Sequence, residues 1–454
     1  MSEHQKTLRQ RDLVLFTVSA ILLPDTLALV ASAGVSSITW WLVLAILFLV
    51  PFGLIAAELG CTYPEQGGIY AWVRDAFEGR WASRVTWCYW INVALWLPSI
   101  YVLGIGILNQ LFNLGLGLEV QIAMAAAVIW LTVGVNIVTL SVGKWVPNIG
   151  GIVKAVLFLG IIYGAWRYIS GHELANPINA KTLTPSWGEG LQYVPAIIYG
   201  MLGFELVSAG ADEMRNPERD VPRAIAYSGA VVLILYVIGT VAVLAAVPVD
   251  EIDLVEGLVD TLRLFFADLS SANAIVLFLG CATLFSVFAS GVAWALGGNR
   301  AAAEAAHEGE LPRWFGIEAR SNGTPIGAAV ALGVASTIAL ISFSLLAGDN
   351  QDLFLSLFAF SGVLFLLPYV GMVLAFLRMR TKDGNRHRPF RVPGGSNVAV
   401  LCSCLCIGAL LMAIFLFMYV PGEGPAWPII GGVALMLVLG EVLIRFAERA
   451  RLSA

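Results

Sequence analysis

Apolar positions in this chain neither alternate nor recur on one narrow stripe; they run on for 20 or more residues at a time, separated by short polar stretches. A helix that is apolar all round is a buried or membrane-spanning helix, and about 20 such residues cross about 30 Å of hydrocarbon. The pattern predicts twelve spans, near residues 13–34, 39–60, 84–112, 120–141, 147–168, 191–211, 224–248, 272–298, 325–346, 352–377, 398–419 and 427–447. The expected fold class is therefore an all-α integral membrane protein forming one membrane domain. Two runs are interrupted at mid-span. The first carries Leu23-Pro24-Asp25-Thr26, and the sixth carries Gly200-Met201-Leu202-Gly203-Phe204-Glu205. Proline removes a backbone donor, glycine loosens the helix, and broken backbone at membrane depth is tolerated only where it lines a cavity or is buried in protein. Interruptions at matching places in two halves point to a transporter's binding site. A proline kink with nothing bound is the plainer reading of Pro24 alone; the acid beside each break favours a site.

Composition narrows the class without changing it. With 59% hydrophobic and 13% charged residues, the chain lies far from the roughly 25% charged of soluble domains. The distribution of Lys and Arg says more than the net charge of −5, because short basic loops stay in the cytoplasm. With a cytoplasmic N-terminus, 22 of the 26 basic residues fall on that side; Arg167, Lys181 and Arg263 fall outside, and Lys154 lies inside the fifth span. A cytoplasmic (inner) membrane location with both termini in the cytoplasm is expected. The first run is long and lacks a small-residue cleavage site, so it should stay as the first span. Six cysteines sit in or near spans, where structural disulfides are not expected. Of Cys402, Cys404 and Cys406, only the first and last share a helix face. The four histidines show no metal-ligand spacing, and neither a metal nor a cofactor is expected.

Several stretches carry chemistry in order along the chain. Ala57-Glu58 precedes Tyr63-Pro64-Glu65-Gln66-Gly67-Gly68-Ile69-Tyr70-Ala71-Trp72-Val73. Phe204-Glu205 is followed by Asp212-Glu213-Met214-Arg215-Asn216-Pro217-Glu218-Arg219-Asp220-Val221-Pro222-Arg223-Ala224-Ile225. Asn299-Arg300-Ala301 leads to Gly309-Glu310-Leu311-Pro312, and Arg388-Pro389-Phe390-Arg391-Val392-Pro393-Gly394-Gly395 joins the tenth and eleventh spans. Together and in this order they resemble the amino acid-polyamine-organocation transporter superfamily, with the glutamate/γ-aminobutyrate exchanger and polyamine uptake branches nearest. The resemblance implies a five-plus-five inverted repeat, residues 13–168 and 191–377, with 398–447 as two added helices, and alternating access around a central site. It also implies that Tyr199 is an aromatic gate and that Trp294 lines the site, where ordinary aromatic packing is the plain alternative.

One departure bears on the substrate. Amino acid carriers of the superfamily usually show a glycine-serine-glycine run in the first break, where bare N–H groups hold a carboxylate; here the break reads Ile21-Leu22-Leu23-Pro24-Asp25-Thr26. Asp25, with Glu205, reads as the partner of a protonated amine that has no α-carboxylate. It also reads as a helix cap. Leu23, Asp25, Thr26, Tyr199, Gly203, Phe204, Glu205 and Trp294 are the expected substrate contacts. Lys154, in Asn148-Ile149-Gly150-Gly151-Ile152-Val153-Lys154, falls where sodium-independent relatives carry a lysine in place of a sodium ion; it reads equally as a proton carrier or a fixed structural cation. Glu58, Asp212, Glu213 and Glu218, beside Arg74, Arg215, Arg219 and Arg223 at cytoplasmic helix ends, read as inner-gate or loop ion pairs rather than substrate contacts. Asp250, Glu251, Asp253, Glu256 and Asp260 read as a solvated outer loop that could also concentrate cations.

No nucleophile, metal set or acid–base pair converges within the spans, which argues against an enzyme, and no repeated filter sequence marks a channel. The expected function is secondary active, sodium-independent transport of an organic amine or amino acid, with a cationic amine or polyamine favoured. An amino acid antiporter of the glutamate/γ-aminobutyrate type, or a non-transporting sensor on the same fold, are the alternatives. The expected partners are the small-molecule amine or amino acid substrate, a proton or counter-substrate, and the lipid bilayer; nucleic acid is not among them.

Overall fold

A computed structural model describes residues 14, 17–18, 21–23, 25–64, 68–77, 79–138, 142–185, 188–205, 216–255, 257–319 and 323–452. Among them, ten helices are long and apolar enough to cross a membrane. They are α2 (Ser36–Thr62), α4 (Gly79–Phe112), α5 (Leu118–Val138), α6 (Val142–Gly171), α9 (Pro217–Ala246), α11 (Ala272–His307), α12 (Ile326–Ser344), α13 (Asn350–Lys382), α14 (Gly395–Met418) and α15 (Trp427–Leu452). Shorter helices lie between them: α1 (Asp25–Ala31), α3 (Ile69–Phe77), α7 (Ala180–Leu183), α8 (Val194–Tyr199) and α10 (Gly257–Phe266). A two-residue antiparallel ladder, β1 (Tyr419–Val420) with β2 (Gly424–Pro425), joins α14 to α15.

Among the described residues, the first expected span shows helical positions at 14, 17, 18 and 21, a non-helical stretch at 22–23 and then α1, and the sixth shows α8 followed by non-helical residues 202–203, while the other ten appear as continuous rods. The two exceptions are the runs that contain the breaks. Several rods overrun their apolar stretch: α11 continues to His307 and α13 to Lys382. Hydropathy cannot see these extensions, because the added turns carry Arg300 and Glu304 or Arg380 and Lys382.

Burial sorts the rods. α4 is the most enclosed, packed against α13, α11, α12 and α5, and its small and aromatic residues are buried along nearly its whole length. The rim helix α15 exposes Trp427, Leu435, Val438, Val442 and Phe446, the surface expected of a helix facing lipid. Each side chain buried in the core contributes about 1.5–3 kcal/mol relative to exposure in water; for the lipid-facing residues the bilayer supplies the same benefit. α13 begins with a true cap, Asp349 Oδ1 accepting from the Asp352 N–H at 2.8 Å, which satisfies one of the orphan donors of its first turn.

Candidate functional site

The backbone of the first break is bridged by one side chain. Residues 22 and 23 are not helical, so their polar groups need partners from outside the segment. Tyr236 of α9 bridges the break: its Oη accepts from the Leu23 N–H at 2.9 Å and donates to the Ile21 carbonyl at 2.8 Å, while the Leu22 N–H still reaches the Val18 carbonyl at 2.9 Å. The ring is fully buried, stacked on Trp41 at 4.9 Å and 14°; Trp41 donates in turn to Thr240 at 3.0 Å. α1 then starts at Asp25. The Asp25 side chain lies outside the described residues, as does Pro24.

The second break follows α8. The Gly200, Met201 and Leu202 N–H groups fold back onto the carbonyls of Ala196, Ile198 and Tyr199, a tightened last turn. The chain then reverses at Gly203, whose φ of +111° is a conformation that side-chain-bearing residues avoid. That turn sets Phe204 and Glu205 into the interior, both buried. The two breaks lie side by side: a side chain added at Gly200 would meet the Thr26 methyl at 3.2 Å and the Tyr236 ring at 3.4 Å.

Around the second break stands an aromatic enclosure. Glu205 Oε1 accepts from the Tyr369 hydroxyl of α13 at 2.7 Å. Phe365, one turn earlier on the same face, packs at 5.0 Å on Tyr369, at 4.7 Å on Tyr199 and at 5.7 Å, edge-on, on Trp294 of α11. Tyr89 and Trp96 of α4 flank Trp294 at 6.1 and 6.2 Å. Phe52 of α2 closes the other side against Phe204 and Tyr369. Trp294 alone of the expected aromatics is only partly buried. A buried carboxylate among aromatic faces can hold an organic cation through charge and through the ring quadrupoles, each face adding about 0.5–2 kcal/mol.

Of the expected contacts, Tyr199, Glu205 and Trp294 are thus linked through Phe365 and Tyr369, while Leu23 and Thr26 line the neighbouring break, and Gly203 and Phe204 shape the turn. Lys154 is buried in α6. Close approaches of Gly150 to Ala289 and of Gly160 to Leu279 show that α6 and α11 run antiparallel, and the register sets Lys154 at the level of Phe285. One turn further, Phe158 packs against Tyr236. Tyr236, Phe365 and Tyr369 were not singled out from the sequence. The i, i+4 spacing of Phe365 and Tyr369 beside Pro368 was the available signal, since such pairs share a helix face; for Tyr236 no sequence signal exists beyond a polar group in mid-span.

The inner-gate ion pairs are partly corrected. Glu58 pairs not with Arg74 but with Arg380, whose Nε and Nη2 make a two-pronged contact at 2.8 and 2.7 Å, and with Arg388 at 3.5 Å. The Val392 N–H adds a third donor at 2.7 Å. Arg74 pairs with its neighbour Asp75. The local-sequence argument failed because the partners come from α13 and the loop after it, more than 300 residues away. Tyr63 donates to Asp383 at 3.1 Å, under Arg386 at 4.2 Å. Nearby, burial raises the Glu310 carboxyl above its usual range, while the Tyr70 and Ser83 hydroxyls and Arg74 pull the other way. Asp212, Glu213 and Arg215 lie outside the described residues. In the acidic loop, Asp260 accepts from Gln110 at 2.7 Å and Asp253 from Gln351 at 2.5 Å, so these two tie α10 and its preceding loop to α4 and α13 rather than serving only as solvated charge. Glu256 lies outside the described residues.

Residues 8–439 match the family model described as amino acid permease. Over 449 residues, 97% of this chain and 95% of the relative, the chain is 30% identical to a probable agmatine/putrescine antiporter of Lactococcus lactis subsp. lactis. It is 29% identical over 429 residues, 91% and 90% of the two chains, to an uncharacterized transporter of Legionella pneumophila subsp. pneumophila. It is 27% identical over 439 residues, 93% of this chain and 74% of the relative, to a polyamine transporter of Oryza sativa subsp. japonica.

Proposed function

The chain belongs to the amino acid permease family of the amino acid-polyamine-organocation superfamily, and from that premise we propose that it carries cationic amines, diamines and polyamines foremost, across the cytoplasmic membrane by sodium-independent alternating access. It is a multi-pass membrane protein of a transporter family. The observation that carries the amine reading is the buried Glu205 carboxylate, held by the Tyr369 phenol within the enclosure of Tyr199, Phe365 and Trp294. An anionic centre faced by aromatic rings suits an ammonium group. The first break offers no bare glycine run for a substrate carboxylate, and its Leu23 N–H is already committed to Tyr236. Relatives named as an agmatine/putrescine antiporter and a polyamine transporter support the same class.

In this reading the ten rods and the two interrupted runs make twelve spans, with residues 13–168 and 191–377 as inverted repeats, 398–447 as an addition, and both termini cytoplasmic. The contact of α1 with α8 at their breaks supports the pairing of halves, and the one-sided Lys and Arg support the orientation. Leu23, Asp25, Thr26, Tyr199, Gly203, Phe204, Glu205 and Trp294 form the substrate site. Lys154 serves coupling, one turn from Phe158, which packs on the Tyr236 of the first break; a fixed cation there replaces a sodium ion, and a proton or counter-substrate drives the cycle. Counterflow of labelled putrescine and agmatine into sodium-free proteoliposomes tests this. Glu205→Gln, which keeps the shape and the acceptor oxygen, should lower diamine counterflow by tenfold or more while preserving a folded protein. A requirement for sodium, flux confined to zwitterionic amino acids, or wild-type diamine flux in the variant would overturn it.

A further inference from the structure

An open groove of about 510 Å³ runs along the membrane-exposed flank where α6, α10 and α11 meet, walled by Val156, Leu159 and Tyr163 of α6, Phe266 of α10, and Ala274 and Phe278 of α11. Its lining is almost wholly apolar, and Leu159, Tyr163 and Phe278 are each more than half exposed. The floor is closed where Leu279 packs on Gly160. On α6 the lining residues fall at 156, 159, 160 and 163, one face of the helix, and the next positions on that face are Trp166, whose ring lies 6.2 Å from Tyr163, and Arg167.

Arg167 differs from Arg263, the neighbouring arginine on the same expected side of the membrane. Arg263 is spent on Asp260 and on the Gln110 carbonyl at 2.8 Å. The Nε of Arg167 is buried without a hydrogen-bond partner, and among the described residues no acid forms a salt bridge with it. It sits one turn before the end of α6 at Gly171, near the end of the apolar span Ile149–Gly171. From Val156 to Arg167 the helix rises about 16 Å, which matches one leaflet's share of about 30 Å of hydrocarbon. The stripe therefore has about the length of one leaflet's hydrocarbon and ends on a cation at the end of the apolar span.

We propose that this groove is a binding site for one anionic phospholipid, its acyl chain lying on Tyr163, Phe266 and Phe278 and its phosphate paired with Arg167. Apolar contact fixes the chain, and the guanidinium, which matches phosphate oxygens in a two-pronged geometry, selects the headgroup. The site is separate from the central enclosure, and because α6 also carries Lys154, its occupancy bears on the helix next to the first break.

Native mass spectrometry of the purified protein in mixed phosphatidylglycerol and phosphatidylcholine tests the proposal. The wild-type protein should retain one phosphatidylglycerol in about fivefold preference, the scale of one basic residue at an anionic surface. Arg167→Gln should abolish that preference, Arg167→Lys should keep most of it, and Ala274→Trp, at an exposed position inside the groove, should remove both lipids. A wild-type protein that does not distinguish the two lipids, a preference that survives Arg167→Gln, or unchanged occupancy in Ala274→Trp each overturns it. If Ala274→Trp instead converts a dimer to monomers, the groove is a contact between copies of the chain, which also overturns it.

Discussion

Tyr236→Phe isolates the hydroxyl that holds the first break open. The substitution keeps the ring, its stack on Trp41 and its edge contact with Phe158, and deletes only Oη. Two backbone groups lose their partner, the Leu23 N–H and the Ile21 carbonyl, in a place where Tyr236 and residues 21–23 are all buried. A buried polar group left unsatisfied costs about 1–3 kcal/mol, so the pair is worth about 2–6 kcal/mol, and even the lower bound is a roughly 30-fold change in the population of the broken conformer. The purified variant should melt several degrees below wild type, and its amine counterflow should fall by at least tenfold. Tyr227→Phe serves as the control, since Tyr227 lies on the same helix and is more than half exposed. If Tyr236→Phe matched wild type in both melting and flux, the claim that this hydroxyl sustains the break would be wrong.

Three further outcomes follow from geometry away from that hydroxyl. Glu58→Ala leaves the Arg380 and Arg388 guanidiniums, both less than a tenth exposed, without their carboxylate; breaking a buried pair from one side costs about 3–5 kcal/mol, and limited proteolysis should cut the loop after α13 faster in the variant, an unchanged cleavage rate being the refuting result. Gly203→Ala forces a side chain into φ +111° at a cost of about 1–3 kcal/mol, so diamine counterflow should drop while a substitution at Gly117, which has open space around it, should not affect it. Glu310 titrates above its usual value of about 4.5 because it is buried, so its contribution to stability is complete below that value and is lost as pH rises through the raised one. Glu310→Gln should therefore melt higher than wild type at pH 8, with the gap closing toward pH 5; melting curves that stay parallel across that range would contradict the linkage.

Much of the architecture could be read from hydropathy because a bilayer imposes one rule on every span. The ten rods lie where the apolar runs do, and the two runs with a mid-span acid and a Pro or Gly are the two that are not continuous. The site was legible only where a residue declares itself along its own helix. Glu205 does so, as a charge in an apolar run; Gly203 does so, as the residue a reversal demands. Tyr369, Phe365 and Tyr236 do not, since their importance lies in what they meet in other segments, across separations of 164 residues for Tyr369 with Glu205 and 213 for Tyr236 with Leu23. Glu58 shows the same limit: nearest-in-sequence reasoning chose Arg74, and the fold chose Arg380 and Arg388.

α13 joins features that the sequence presents separately. At one end Gln351 donates to Asp253 of the loop before α10. Near its middle Tyr369 holds Glu205 and Phe365 touches both Tyr199 and Trp294. At the other end Arg380 clamps Glu58 of α2. A continuous helix of 33 residues transmits displacement far better than the loops it meets, so a movement that opens either end of the bundle must bend α13 or break one of these contacts. Pro368, beside the site contact, removes the backbone bond that would resist bending there. The helix is therefore weakest where it touches the binding enclosure and firmest where it is pinned. A ligand that entered the enclosure would press on Phe365 and compete with Tyr369 for Glu205, and so would load α13 beside Pro368, where the helix resists bending least.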